Sequence, residues 1–206
     1  MSSTSATMTR YNTPLRQAQR DLTRSRIKNA ARDLFYDKHY DTTTMEEIAE
    51  AAGLRRSTLY LHYKDKAEIL VDIIVEYTPK AKEVLATLPG PRPSLDTVHA
   101  WVKRVAKFVA KERAPLSIIR EAEARSRDAA EFDAVIQELL RAMGTSNPRF
   151  AEAAEPGADP MLGARALMLL EELTYACGVF IQEPRNDRAK ALLAVTAEDF
   201  HTFLGQ

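Results

Sequence analysis

The chain has 206 residues, 45% of them hydrophobic and 28% charged, with 29 basic side chains balanced by 29 acidic ones. That length exceeds a lone helix-turn-helix of about 50 to 60 residues and gives room for one or two compact domains. With no run of about 18 apolar residues, it excludes a helical membrane anchor. A single cysteine, Cys177, excludes an internal disulfide and a cysteine-based metal site, and fits a reducing, cytoplasmic setting. The zero net charge favours no partner, but its distribution is uneven. Through Leu70 there are 12 Lys and Arg against 9 Asp and Glu, and beyond it 17 against 20, a basic head on a mildly acidic body.

Met1 to Thr13 is rich in Ser and Thr and lacks the apolar stretch of a secretory signal, so residues 1–20 are expected to form a disordered basic arm. From Asp21 a first helix is predicted, with Ile27, Ala30, Ala31, Leu34 and Phe35 at three- and four-residue steps and Arg24, Arg26, Lys28 and Arg32 on its polar face, ending near Lys38 and His39. Thr43 or Thr44 caps a short second helix, with Glu47 in the capping-box position after Thr44 and Ile48, Ala51 and Ala52 as its apolar face. Gly53 ends it. A third helix is predicted from about Arg55 to Leu61, and a fourth from a cap at Asp65 through Ile69, Leu70, Ile73 and Ile74 to about Tyr77, stopped by Pro79.

Prolines punctuate the remainder: Pro89, Pro91 and Pro93 mark a loop, Pro115 a break, and Asn147 to Pro160 a long connection. Between them the periodicity predicts helices at Lys80–Leu88, Leu95–Glu112, Leu116–Arg127, Ala130–Met143, Met161–Gln182 and Asp187–Leu204, with no alternating strand pattern longer than a few residues. The fold is therefore read as all-α. The division expected is an arm (1–20), a three-helix head (21–66) and a helical body (67–206), about nine helices together.

The stretch from Thr43 to Lys66 carries the functional signal. Ala49 is small enough for two short helices to cross closely, Gly53 can take the positive φ of the turn between them, and Leu54 and Leu59 are apolar plugs. Left exposed on the second of these helices are Arg55, Arg56, Ser57, Thr58, Tyr60 and His62, donors sized for base edges and phosphates. Thr43, Thr44, Ile48, Ala49, Ala52, Gly53, Thr58, Leu59, Tyr60, Tyr63, Lys66 and Leu70 stand in a register that resembles the tetracycline-repressor (TetR) family of bacterial regulators, over about Ile27 to Leu70. The resemblance implies an N-terminal helix-turn-helix DNA-binding domain and a C-terminal helical ligand-binding and dimerisation domain. Residue by residue, it implies that Thr44 and Lys66 hold phosphates, that Tyr60 packs or bonds against the DNA backbone, and that Arg56, Ser57 and Thr58 face bases. Arg55 stands where the family often has a capping Ser, and Leu61 where it often has a polar or aromatic residue. Arg10, Arg16 and Arg20 are candidates for the adjacent minor groove.

The resemblance further implies a homodimer through the last two helices, Met161–Gln182 and Asp187–Leu204, a double-stranded DNA operator as partner, and a small-molecule effector in the body. Both helices carry broad apolar stripes that suit such an interface. Candidate effector-lining residues are Tyr77, Trp101, Val105, Phe108, Met143 and Tyr175, with His99 and Cys177 beside them, an apolar set that favours a hydrophobic or aromatic effector. No catalytic constellation, metal ligand set or cofactor is expected: there is no phosphate loop or nucleophile elbow, and His39, His62, His99 and His201 are scattered. The expected function is a non-enzymatic transcriptional regulator, a repressor released by its effector. The alternative is a helical partner-binding protein without an effector or with lost DNA specificity.

Overall fold

A computed structural model describes residues 14–112 and 129–205, and every regular element among them is a helix. In chain order these are α1 (Pro14–Lys38), α2 (Met45–Ala51), α3 (Arg56–Tyr60), α4 (Lys66–Leu85), α5 (Leu95–Glu112), α6 (Ala129–Gly144), α7 (Pro148–Ala153), α8 (Pro160–Gln182) and α9 (Asp187–Gly205). The helix expected at Leu116–Arg127, the break at Pro115 and the arm residue Arg10 lie outside the described residues.

Three boundaries differ from the sequence reading. Helix α1 starts at Pro14 rather than Asp21, so Arg16 and Arg20, expected in the arm, are helical. The added turns are exposed, Leu15 at their start included, and are tied by Gln17 Nε2 donating to Asp21 Oδ1 at 2.8 Å. Helix α4 runs straight through Pro79 to Leu85. Proline removes one bond of the helical ladder, but Val75 and Pro79 both lie on the exposed side, while Tyr77, Ala81 and Leu85 continue the buried stripe and hold the helix together. The third difference is α7, inside the connection expected between Asn147 and Pro160. Asn147 Oδ1 accepts from the Arg149 N–H at 3.1 Å, Pro148 follows at the first helical position, and Phe150 is fully buried.

Two hydrophobic cores form, and α4 belongs to both. Ile27, Phe35, Ile48, Leu59, Ile69 and Leu70 centre the first, built from α1 to α3 and the start of α4. Tyr77, Trp101, Val102, Phe150, Leu173 and Phe200 centre the second, in which α5 packs on α8 and α9. The cores meet on α4 between Ile74 and Tyr77, about one helical turn beyond the first core's last contact. The head and body expected to divide at residue 66 thus share one continuous 20-residue helix.

Candidate functional site

Local chemistry sets the helix pair α2–α3 rigidly. Thr44 caps α2, its hydroxyl accepting from the Glu47 N–H at 3.2 Å while Glu47 Oε2 accepts from the Thr44 N–H at 2.9 Å. Glu47 also pairs with Lys38, and chiefly that contact, followed by the Thr44 N–H, pulls its carboxyl down to about 2. Gly53 then turns the chain with φ of +64°, and a Cβ there would stand 2.9 Å from the Arg26 guanidinium, which donates to the Ala52 carbonyl at 2.6 Å. Helix α3 starts at Arg56, and the side chain of Arg55 before it makes no capping bond. The position where the family pattern often places a capping Ser is an uncapped start here, and its long cation is exposed.

The exposed face of α3 carries Arg55, Arg56, Ser57 and Tyr60, with Thr58 half-buried. Arg56 reaches back to Glu46 of α2 at 2.7 Å and lies over the Tyr60 ring at 5.4 Å, so the guanidinium is pre-positioned rather than loose. Leu61, just past the end of α3, is 80% exposed and belongs to neither hydrophobic core among the described residues.

His62 and Lys66 are placed differently from the sequence expectation. His62 is half-buried with Nδ1 enclosed and without a hydrogen-bond partner among the described residues. Burial, then the charges of Arg20 and Arg24, push its pKa below the ordinary histidine value, so it is neutral at pH 7. Lys66 directs its ammonium into the protein, donating to the carbonyls of Tyr40 at 2.6 Å, Asp41 at 3.1 Å and Thr43 at 3.1 Å, with the Tyr40 ring 4.4 Å away. The ammonium, expected on a phosphate, thereby ties the start of α4 to the loop that leads into the α2 cap.

Sequence reasoning missed the ionic clamp beneath this surface. Asp72 of α4 accepts from Arg24 at 3.0 Å and from the Tyr63 hydroxyl, and lies 3.6 Å from Lys28, which also pairs with Glu76. Arg24 stacks over the Tyr63 ring at 4.4 Å. Burial opposes ionisation of Asp72, but the bonds from Tyr63 and Arg24 and the charge of Lys28 outweigh it and hold its pKa below the ordinary value. The signal was present in the spacing. Arg24 and Lys28 are four apart on α1, and Asp72 and Glu76 four apart on α4, a matched pair of charged stripes.

In the body, the effector-lining candidates separate into three places. Tyr77, Val105 and Phe108 border a small cavity of about 30 Å³ together with Leu170, Thr174 and Cys177. Trp101 and Met143 do not reach it: both are fully buried core residues, Trp101 packed on Phe200 with ring centroids 5.2 Å apart. Tyr175 points the other way, into an open groove of about 640 Å³ along α8 and α9 that Met161, Met168, Leu169 and Phe203 also line. His99, half-buried, faces the Ala194 carbonyl at 3.4 Å. Among the described residues no cluster of three or more His, Cys, Asp or Glu could hold a metal ion, and no helix is long and apolar enough to cross a membrane.

Residues 27–73 match the family model described as bacterial regulatory proteins, tetR family. The regulator TtgR of Pseudomonas putida is 42% identical over 81 residues, which span 39% of this chain and 38% of TtgR. The aligned part is well under two thirds of that relative's length. Among solved structures, Salmonella enterica GusR superposes with a TM-score of 0.62 at 20% identity, covering 89% of this chain and 95% of GusR. Thermus thermophilus FadR, solved in complex with lauroyl-CoA, gives 0.52 at 22% identity, covering 88% and 93%. At these identities the structural likeness establishes the fold, which extends through the body well beyond the residues that the family model matches.

Proposed function

The chain belongs to the tetR family of bacterial regulatory proteins, and from that premise we propose that it is a DNA-binding transcriptional repressor that a small effector releases from its operator. The observation that carries this reading is the exposed set Arg55, Arg56, Ser57 and Tyr60, with Thr58 half-buried beside it, on a helix whose partner is capped and whose turn is glycine-fixed. The side chains able to read base edges stand on a rigid support, which is what sequence-specific contact requires. Arg55 and Thr44 serve the phosphates, Arg56, Ser57 and Thr58 the bases, and Tyr60 the backbone. Lys66 and His62 support the surface from within.

A second copy of the chain is the proposed partner. Met161, Met168, Tyr175 and Val195 are large apolar side chains left exposed on α8 and α9, and pairing these helices across a two-fold axis covers them. Two reading heads then meet a pseudo-palindromic site. The effector acts from the body, where the FadR complex offers the precedent of a small molecule bound by a protein of this fold. Helix α4 is the proposed transmission element, because it runs from the clamp at Asp72 to the cavity at Tyr77 without interruption.

Enrichment of a randomised duplex pool on the purified protein tests the reading. A two-fold-symmetric sequence should emerge, bound by a dimer, and compounds that stabilise the protein against heat should release it. Recovery of no enriched sequence would favour the partner-binding alternative.

A further inference from the structure

The open groove along α8 and α9 is lined by charge as well as by apolar side chains. On α8 it takes Met161, Arg165, Met168, Glu172 and Tyr175, which follow one another at steps of four, three, four and three residues, the spacing that lays a seam along one side of a helix. Asp199 joins them from α9. Arg165 is exposed and pairs with no carboxylate among the described residues. Glu172 is half-buried beside Asp199, and among the described residues no basic side chain pairs with either acid. Burial raises the Glu172 carboxyl above its ordinary value; the Thr196 hydroxyl opposes the shift, and the charge of Asp199 adds to it. Two neighbouring acids on a surface that becomes covered need a cation against them.

We propose that this cation is Arg165 of the partner subunit: two copies of the chain close the groove on a two-fold axis at Met168, and each extends Arg165 to Glu172 and Asp199 of the other. The proposal rests on the dimer reading above and adds to it the register and the residues that select the partner. Symmetry carries the argument. A two-fold axis crossing α8 makes its two copies antiparallel, so a residue a few places before the axis faces one a few places after it. Arg165 lies three residues before Met168 and Glu172 four residues after, each about 5 Å from the axis along the helix. Met168, 66% exposed, then meets its own copy. Other registers are penalised, because an axis at Glu172 sets acid against acid and an axis at Arg165 sets cation against cation. A guanidinium suits the position, since its planar fork offers donors to two carboxyls at once.

Charge reversal tests the pairing, with dimerisation of the full chain followed by analytical ultracentrifugation. Arg165→Glu and Glu172→Arg should each weaken the dimer by about tenfold or more, because each sets like charges together twice across its own two-fold axis. Mixed in equal amounts, the two variants should form a heterodimer within about threefold of the parent's dissociation constant, since one pair is then native and the other reversed. A misfolded chain gives no such rescue. Should either reversal fail to fold, Arg165→Ala and Glu172→Gln form a double-mutant cycle in its place: a double variant no weaker than the weaker single supports the pairing, and additive losses overturn it. Reversals that dimerise like the parent, or a mixture no tighter than the variants alone, overturn the register while the dimer stands. A parent that stays monomeric at every concentration and on operator DNA removes the dimer reading itself, and this proposal with it.

Discussion

Lys66 shows how the fold decides what a residue of known type can reach. A lysine at the start of a helix, beside exposed backbone amides, suggests an anion. What the sequence hides is that the chain from Tyr40 to Thr43 folds back within reach and presents three carbonyls. Lys66→Met should therefore lower folding stability by about 1 to 3 kcal/mol, as lost charge-assisted bonds do, measured by urea unfolding. Its DNA complex should keep the parent's salt dependence. Arg55→Ala should do the reverse, leaving stability intact while the slope of log affinity against log salt becomes shallower by about 0.9, one phosphate contact. Glu46 supplies a third expectation. It holds Arg56 at 2.7 Å and places a carboxylate beside the reading surface, so Glu46→Gln should tighten operator binding several-fold in a fluorescence-anisotropy titration.

At the scale of elements, the head was legible because its signals are local: the capping box at Thr44, the glycine turn, and the apolar plugs Leu54 and Leu59 each act within a few residues. Ends decided by tertiary packing were not. Pro79 reads as a stop, yet the buried stripe of Tyr77, Ala81 and Leu85 carries α4 past it, and the first turns of α1 are exposed, with no buried face to mark them. The clamp around Asp72 is a long-range pairing of two stripes that sequence shows separately. Asp72→Asn should cost about 1 to 2 kcal/mol, discounted because its carboxylate is partly exposed. The pH dependence has a definite sign. A carboxyl held below its ordinary value of 3.8 adds stability at neutral pH and loses it as pH falls through the lowered value. The difference between parent and Asp72→Asn, followed by chemical denaturation, should therefore be full at pH 7 and vanish under strongly acid conditions.

For the whole molecule, the two cores joined on α4 and the apolar face on α8 and α9 make a two-headed dimer the economical arrangement. Sequence periodicity revealed both apolar stripes but not which side of each faces inward, because a helix in a body of this size is apolar on more than one side. Leu169, Leu173 and Phe203 turn out to be buried, whereas Met168 and Tyr175 are exposed. Met168→Glu should leave the monomer folded, shift sedimentation from dimer to monomer, and weaken operator binding through the lost second head. Tyr175, read from sequence as part of an effector site, lines the open groove on this face. Its substitution should change association rather than ligand binding.

The central claim is that the exposed face of α3 reads base sequence. Its most direct test is the ratio of affinities for the enriched operator and a scrambled duplex of equal length, measured at one fixed salt concentration for the parent and for Arg56→Ala. The account predicts a large ratio for the parent, reduced by roughly tenfold or more in the variant, with affinity for the scrambled duplex little changed. A ratio near one for the parent, or a ratio that Arg56→Ala leaves intact, would contradict it.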